Sequence, residues 1–527
     1  MFSRLLLLLE NILDLVVSLP QALLAFVRDW LHFRKLANRF PGPSLGPTIA
    51  RLFDSGFVRD PMNLLKWVMD DVMYRYPAGQ VMLGPLRFIV LSEVNDLKSF
   101  LTNSKNQSKP KLMVDFGFYC LGRGLITING SEWDYHHKIL EPTFHRSLLK
   151  KYVTVFDQNS DVFIEKLSEH ANDCAFDVKL LTETLEFDIV VETLFGVPSN
   201  QQTNPEKELF EYILKGQTEL SHRVRCLWFF IEGIYKISSA RRTALKYLNI
   251  GRSLQDTFVQ QRKELLRVRA ESLWQKGNFK DENSQEATND ATREADADPN
   301  EKQFSTFIDV LLQENERSIS YQSILDEMLT FLMAGFDTTS ITLQFALYFL
   351  AKNPLVQEKA LGELQNIFGS AGSTEVTPDT LQRMQYVEMI VKETLRMHPP
   401  VFFYLRKAGV DTPLVSSDLV VPAGATVFIS PRTVHMDPKL YPDPHVFDPE
   451  RFSPENSAKR HPFAFIPFAM GMRACLGRKF AMLSLKAVIS KIIWNFRILP
   501  DETYEPELLW GLSMVTSNGM RIKLLKR

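Results

Sequence analysis

The chain has 527 residues, of which 45% are hydrophobic and 11% aromatic, so it can bury a large apolar core. Its formal net charge of −1 argues against a nucleic-acid-binding protein, which would carry a strongly positive surface. Its four cysteines form no CxxC pair, which excludes a zinc ribbon and a dense disulfide framework and fits a reducing compartment.

The first 33 residues predict a membrane anchor. Leu5–Leu9 is an unbroken leucine run, although Asp14 and Pro20 interrupt the apolar segment. Because a spanning helix needs about 20 apolar residues with few charges, a cleaved signal peptide and a helix lying in the interface stay open as alternatives. Basic residues follow the segment and only Arg4 precedes it, which predicts that the remaining chain faces the cytosol.

Residues 34–48 predict a stiff hinge between the anchor and a single large domain at residues 49–527. Three prolines and two glycines lie between Phe40 and Pro47. This composition excludes a helix or a central strand.

Inside the predicted domain, helical periods dominate. Gln80–Leu91 is strand-like, and the acidic residues 275–303 predict a disordered surface loop because they offer almost no large apolar side chain to bury. Tyr321–Lys352 predicts a long, buried central helix with Ser320 as its N-cap. The last third of the chain has short strand-like pieces and many prolines. Together these elements predict a mainly α-helical fold with small β-sheets (α+β).

One cysteine, Cys475, lies between Gly471 and Gly477, with Arg473 two residues before it and an amphipathic helix predicted after it. A thiolate just before a helix is stabilised by the helix dipole and by the free backbone N–H groups of the first turn. The glycines would let the backbone approach a flat cofactor closely. Arg473 is placed to pair with an acidic group of that cofactor.

Residues 468–477 resemble the cysteine loop FxxGxRxCxG of the cytochrome P-450 superfamily, and every fixed position of that pattern is present. The resemblance extends over roughly residues 40–525 and looks strongest to the animal microsomal clan of fatty-acid ω-hydroxylases and their insect relatives. It implies the cytochrome P-450 fold, with a haem between the central helix and the cysteine loop. It also implies that Cys475 is the axial thiolate ligand of the iron, that Phe468 packs beside the sulfur and that Arg473 holds a haem propionate.

Two further motifs of the family are present. Glu393 and Arg396 match ExxR, whose i,i+3 spacing puts both charges on one helix face. Alone, this would be an ordinary surface pair, but Pro449–Phe452 matches the family's PERF element. The resemblance implies that Glu393, Arg396 and Arg451 form a buried ion triad that braces the cysteine loop, which is a structural role rather than a catalytic one.

Ala334–Thr339 lies in the middle of the predicted central helix, where glycine, an acid and two hydroxyls are unusual choices for a buried interior. From the residues alone, a tolerated polar patch and a local distortion that leaves a groove are both open. The run matches the family's oxygen-activation motif, AGx(D/E)T. The resemblance implies that Asp337 relays protons, that Thr338 supports dioxygen activation and that Gly335 makes room for dioxygen.

Trp133 and His137 are four residues apart, so they share one face of a helix. In the family, W-x-x-x-(R/H) at this place reaches the haem propionates, and Arg406 matches another propionate position. The chain departs from many ω-hydroxylases at Ala334, where they carry a glutamate that can bond covalently to the haem. The resemblance therefore implies a haem b that is held non-covalently.

The function that this resemblance implies is a monooxygenase. It would insert one oxygen atom of dioxygen into a lipophilic substrate, such as a fatty acid, a steroid-like hormone or a foreign compound. Because the chain has no flavin or nicotinamide motif, we expect electrons from NADPH through a separate flavoprotein reductase, with a b-type cytochrome as a further donor. We expect membrane lipid as a partner, no nucleic acid, and a location at the endoplasmic reticulum membrane with the catalytic domain on the cytosolic side.

Two surfaces are predicted around the site. Phe402, Phe403 and Tyr404 suggest an aromatic, apolar wall for the substrate. Basic residues in two segments would attract an acidic reductase, unless they are ordinary solvated side chains. They are Lys138, Arg146, Lys150, Lys151, Arg478, Lys479 and Lys486.

Two other functions compete with the monooxygenase. One is a haem-thiolate isomerase or dehydratase that needs no reductase, against which the intact Asp337 and Thr338 argue. The other is a catalytically silent haem-binding or membrane scaffold protein.

Overall fold

A computed structural model describes residues 28, 30–43, 66–83, 86–206, 209, 215, 216, 223, 229, 232–278, 306–315, 318–369 and 374–527. The chain divides into two compact units, each discontinuous in sequence. The first comprises Met1–Pro110, Phe403–Asp437 and His461–Ala474, and the second comprises Lys111–Phe402, Pro438–Arg460 and Cys475–Arg527. The single domain predicted for residues 49–527 therefore draws on both units.

A four-stranded sheet lies in the first unit. Its strands, in spatial order, are Ala78–Leu83, Leu86–Leu91, Thr426–Ile429 and Tyr404–Lys407. The two outer pairs are antiparallel and the central pair is parallel. Ile89, Val90 and Val427 are fully buried, because β-branched side chains pack well on a pleated surface. The unit also contains the two-stranded sheet Thr412–Pro413 and Val420–Val421, and the helical segments Val68–Val72, Met73–Arg75, Val94–Thr102, Ser104–Asn106, Pro431–His435 and Pro462–Ala464.

Helices make up most of the second unit. They are Lys111–Leu121, Gly130–Leu140, Glu141–Phe144, Arg146–Ser168, Lys179–Val190, Val191–Phe195, Glu232–Ile237, Ser239–Asn278, Phe307–Asn315, Tyr321–Lys352, Pro354–Phe368, Pro378–Arg383, Gln385–Met397, Pro449–Phe452, Pro454–Ala458 and Arg478–Asn495. Phe176–Asp177, Arg521–Lys526 and Phe496–Pro500 form one small sheet, and Leu508–Trp510 pairs with Met514–Thr516. The predicted mainly α-helical fold with small β-sheets is confirmed.

The central helix, Tyr321–Lys352, begins as the sequence predicts. The Ser320 side chain accepts a hydrogen bond from the Ser323 amide and caps the first turn. The helix is continuous between its two ends, and the Thr338 and Thr339 hydroxyls donate to the carbonyls of the preceding turn. This back-bonding satisfies the two hydroxyls within the helix. The tolerated polar patch and the local distortion both stay predictions for this motif.

The central helix packs antiparallel to helix Lys179–Val190, the adjacent helix. Near one end, Gln344 Nε2 donates to Thr182 Oγ1 over 2.9 Å. Near the other, a Cβ atom added to Gly335 would lie 2.8 Å from Val190 Cγ2. Gly335 thus permits the close approach of the two helices, and its role in making room for dioxygen stays a prediction.

The strand-like segment Gln80–Leu91 proves to be two strands. Ala78–Leu83 and Leu86–Leu91 pair in register from Ala78 with Leu91 to Leu83 with Leu86. Gly84 and Pro85 stand between them in the sequence and are typical of a turn, which the apolar pattern on either side obscured.

Two other predicted boundaries change. Residues 30–37 are helical, so the predicted hinge at residues 34–48 begins in a helix, and Ala37 is fully buried. Helix Ser239–Asn278 includes the first residues of the predicted acidic loop, of which residues 279–303 lie outside the described residues.

The predicted anchor, residues 1–33, lies mostly outside the described residues. None of the described helices combines the length and the apolar character that crossing a membrane requires.

The predicted ion triad is buried in the second unit. Arg396 forms two hydrogen bonds with Glu393, at 2.7 Å and 2.8 Å, and neither side chain is exposed. Arg451 Nε lies 3.4 Å from Glu393 Oε1, which also accepts the Asp448 amide over 2.9 Å. Burial raises the pKa of Glu393, and Arg396 acts against that rise. The role of the whole triad in bracing the cysteine loop stays a prediction.

Two acids of the adjacent helix are buried. Glu186 hydrogen-bonds Thr339 of the central helix and Ser484 of helix Arg478–Asn495, the final helix. Burial raises the pKa of Glu186 to about 7. Burial also raises the pKa of Glu183 to about 7, where the positive charge of Lys179 opposes the rise and the negative charge of Asp337 adds to it.

Glu186 should make the stability of the fold depend on pH. Its pKa is above the usual 4.5, so the stability that it contributes is present below about pH 4.5 and is lost as the pH rises through about 7. Glu186→Gln stays neutral and should resist guanidinium better than wild type at pH 8, by roughly 1–3 kcal/mol, but not at pH 4.5. The exposed control Glu165→Gln should show no such change. An equal effect of Glu186→Gln at both pH values would contradict this account.

Removing one member of the triad should be costly. Arg396→Ala leaves Glu393 buried without its main counter-charge, so we expect a loss of roughly 3–5 kcal/mol in the free energy of unfolding. On the same helix, Lys392 pairs with Glu388 at 2.8 Å in a partly exposed place, and Lys392→Ala should cost less than about 1 kcal/mol. Chemical denaturation of both variants measures the difference, and similar losses would argue against a special role for the buried pair.

Candidate cofactor site

Cys475 lies just before the final helix, as the sequence predicts. The backbone amides of Gly477 and Arg478 donate to its sulfur. Burial raises the pKa of the Cys475 thiol, whereas these amides and the charge of Arg478 act against the rise. The side chain nevertheless keeps accessible surface. A sulfur of this kind suits a metal, because coordination stabilises the thiolate that burial disfavours.

The glycines around Cys475 have different roles. Gly471 has φ +81°, and a Cβ atom there would lie 2.2 Å from the Leu101 carbonyl oxygen, so the loop needs glycine for its own packing in the first unit. A Cβ atom on Gly477 would have only Cys475 Sγ nearby, at 4.0 Å. The space beside the sulfur is therefore open, which fits a flat group bound there.

Three cations of the first unit lie close together. Arg406 is buried, and its Nε makes no hydrogen bond among the described residues. Burial and the positive charges of Arg406 and Arg473 hold the pKa of Lys109 well below its usual value. Cations gathered in this way favour an anionic ligand and fit the carboxylates of a haem. Arg406 and Arg473 were predicted from the motifs, whereas Lys109, in the short basic stretch around Pro110, was not.

Trp133 and His137 of helix Gly130–Leu140, the tryptophan helix, share a face as predicted. Their ring centroids are 4.6 Å apart. Trp133 is buried, and His137 is partly exposed with Glu141 at 3.8 Å from its Nδ1. Contact of either residue with a haem propionate stays a prediction.

A buried pair that the sequence did not indicate holds the tryptophan helix. His136 Nδ1 lies 2.6 Å from Glu327 Oε1 of the central helix, and both side chains are buried. Glu327 Oε2 also accepts the Leu125 amide over 3.0 Å. This pair fixes the rotation of the helix that carries Trp133 and His137.

Asp337 and Thr338 are half-buried, although most of the central helix around them is buried. Thr338 Oγ1 donates to the Ala334 carbonyl over 2.8 Å, and the Ser513 hydroxyl donates to Asp337 Oδ2 over 2.6 Å. An acid and an alcohol are therefore adjacent and accessible in the middle of this helix, where they could move protons. The contact with Ser513 could not be read from the sequence.

The aromatic wall predicted for the substrate is only partly accessible. Phe402 is fully buried with its ring edge on Trp510, and Tyr404 is buried beneath Arg406. Phe403 is half-buried and stacks on Phe428. Phe402 and Tyr404 are thus core residues, because large rings next to a sheet bury themselves against their neighbours.

The predicted basic surface is mostly exposed. Lys138, Arg146, Lys150, Lys151, Arg478 and Lys479 are exposed in the second unit. Lys486 was wrongly included, because its side chain is only 5% exposed and it pairs with Glu388 at 2.9 Å. Six exposed basic residues of the predicted surface remain. Phe468, which was predicted to pack beside the sulfur, lies in the first unit.

Known proteins identify the family. A family model described as cytochrome P450 matches residues 41–524. The chain is 28% identical to human cytochrome P450 4V2, over 98% of this chain and 94% of that protein. It is 30% identical to probable cytochrome P450 4s3 of Drosophila melanogaster, over 95% and 94%, and 30% identical to human cytochrome P450 4X1, over 97% and 95%. The expected similarity to animal and insect members is confirmed.

The fold agrees with this assignment. A crystal structure of a cytochrome P450 (CYP102L1) superposes with a TM-score of 0.70 and 22% identity, over 88% of this chain and 94% of that one. The family binds a haem through a thiolate. The chain therefore belongs to the cytochrome P450 family and is a haem monooxygenase.

Proposed function

We propose that this cytochrome P450 inserts one oxygen atom of dioxygen into a lipophilic substrate, with electrons from NADPH that a separate flavoprotein reductase delivers. The observation that carries the proposal is the intact, half-buried pair of Asp337 and Thr338 in the central helix. An isomerase or dehydratase that works without external electrons has no need of such a proton-moving pair.

The residues of the chain would divide the work between binding and proton movement. When bound, the haem supplies the iron at which dioxygen is reduced and split. Cys475 would bind the iron, and Phe468 would pack beside its sulfur. The haem carboxylates would be held by Trp133, His137, Arg406, Arg473 and Lys109.

Proton movement would begin at Asp337. Its carboxylate can take a proton from the solvent side and pass it to the Thr338 hydroxyl, which now donates to the Ala334 carbonyl. Rotation of that hydroxyl away from the carbonyl would free the proton on Thr338 Oγ1 for the reaction.

The haem is proposed to be held without a covalent bond to the protein. Ala334 has no carboxyl group with which an ester could form, unlike the glutamate of the ω-hydroxylases that the chain resembles. We therefore expect acidified organic solvent to extract the haem completely.

The substrate is proposed to be apolar because the partly exposed positions on the central helix include Phe331, Met333 and Ala334. Fatty acids, steroid-like hormones and foreign compounds all meet this requirement. Incubation of the reconstituted enzyme with a panel of these three classes would identify the class.

We further propose an anchor in residues 1–33 and a location at the endoplasmic reticulum membrane, with the catalytic domain in the cytosol. A b-type cytochrome is proposed as a second electron donor.

The ligand assignment predicts the absorption spectrum. Wild type, reduced and exposed to carbon monoxide, should show the band typical of thiolate-ligated haem, and Cys475→Ala should lose it. Cys174 is a described cysteine outside the cysteine loop and is exposed, so Cys174→Ala should keep the band. A Cys475→Ala protein that retains the band would show that the ligand lies elsewhere. A wild type without the band would contradict the enzyme proposal itself.

The six exposed basic residues, among them Lys150 and Lys151, predict that an acidic reductase binds here and delivers electrons. Lys150→Glu with Lys151→Glu should lower reductase-driven turnover roughly 10-fold at low salt, because charge steering raises the rate of encounter. Turnover driven by hydrogen peroxide, which needs no reductase, should not change. Lys246→Glu, an exposed charge reversal on another helix, is the matched control. If high salt left the reductase-driven rate of wild type unchanged, a charged docking face would be ruled out.

A further inference from the structure

The acid of the central helix is held by a residue far away in the sequence. Ser513 Oγ donates to Asp337 Oδ2 over 2.6 Å, and the two residues are 176 positions apart. Ser513 is half-buried, as Asp337 is, so the hydrogen bond is partly shielded from water. A donor at this distance both stabilises the charged carboxylate and restricts its rotation.

The element that carries Ser513 is firmly anchored in the second unit. Ser513 lies at the tip between strands Leu508–Trp510 and Met514–Thr516, where the Gly511 amide donates to its carbonyl over 3.2 Å. The next residue, Met514, donates its amide to the Pro400 carbonyl over 2.9 Å, and its own carbonyl lies 2.9 Å from His398 Nε2.

The residues that hold the hairpin also contact the central helix. The His398 ring stacks on Phe345, two turns beyond Asp337 along that helix. Trp510, at the end of the first strand, packs its ring against Phe402. The tip therefore has little freedom to move away from Asp337, and the Ser513 hydroxyl is a fixed point rather than an occasional contact.

The surroundings of Asp337 make its orientation important. Glu183 of the adjacent helix is buried nearby, and the negative charge of Asp337 contributes to raising the pKa of Glu183 to about 7. Two negatively charged carboxylates that lie close together repel each other unless donors compensate their charges. Ser513 is such a donor for Asp337.

We propose that Ser513 is a positioning residue that holds the Asp337 carboxylate in the orientation from which it delivers protons to Thr338. The proposal rests on the monooxygenase function proposed above. It couples the tip of the Leu508–Thr516 hairpin to the proton supply of the reaction.

The fate of dioxygen reports this proton supply even without a substrate. Two electrons and two protons convert O₂ to hydrogen peroxide, whereas four electrons and four protons convert it to two molecules of water. NADPH supplies the electrons through the reductase, and solvent supplies the protons. Slower proton delivery by Asp337 should therefore shift the products from water towards hydrogen peroxide.

The test compares the full chain with three variants, each with the reductase and NADPH but without substrate. The measurement is the ratio of hydrogen peroxide to water formed from O₂. We expect Ser513→Ala to raise this ratio at least ~3-fold, and Ser513→Thr, which keeps a hydroxyl, to retain the wild-type ratio. Ser517→Ala is the matched control, because Ser517 is an exposed serine of the same segment whose hydroxyl bonds Glu507 instead.

A second measurement detects the hydrogen bond itself. A double-mutant cycle of Ser513→Ala and Asp337→Ala in guanidinium denaturation should give non-additive changes in the free energy of unfolding. A ratio for Ser513→Ala equal to that of wild type, or a Ser513→Thr variant as impaired as Ser513→Ala, would overturn the proposal. If wild type consumed no NADPH and lacked the thiolate band, the proposed function itself would have failed.

Discussion

The chemistry of this chain depends on one sulfur, that of Cys475, which lies just before the final helix. Burial raises the pKa of Cys475, and two backbone amides with the charge of Arg478 only partly offset this effect. A metal cation would change that balance, because coordination stabilises a thiolate much more than hydrogen bonds do. The fold therefore presents a sulfur that is a poor free nucleophile and a suitable metal ligand.

The charges of the candidate residues are complementary to those of a haem. The Cys475 sulfur favours a cation, the cluster of Lys109, Arg406 and Arg473 favours an anion, and a haem carries both an iron and carboxylates. A cofactor that binds only the folded chain also stabilises it, so residues of this kind link haem binding to the stability of the fold. In the proposed function, Asp337 and Thr338 supply protons and Ser513 restrains the acid.

Local sequence motifs were sufficient to predict the roles of some of these residues, but not of others. Cys475 before its helix and the Glu393–Arg396 pair depend on spacing within one segment, so the sequence predicted them. The contacts of His136 with Glu327 and of Ser513 with Asp337 join residues 191 and 176 positions apart, and no spacing rule reaches that far. Lys486 was misjudged because a helical pattern cannot tell which lysine is itself buried against an acidic partner.

The central claim is that Cys475 binds the haem iron through its sulfur. X-ray absorption at the iron edge of the purified full chain tests it most directly, because sulfur and nitrogen neighbours scatter differently. The account predicts one sulfur bound to iron in wild type and in Cys174→Ala, and none in Cys475→Ala. An iron with only nitrogen and oxygen neighbours in wild type, or a sulfur neighbour that survives in Cys475→Ala, would contradict it.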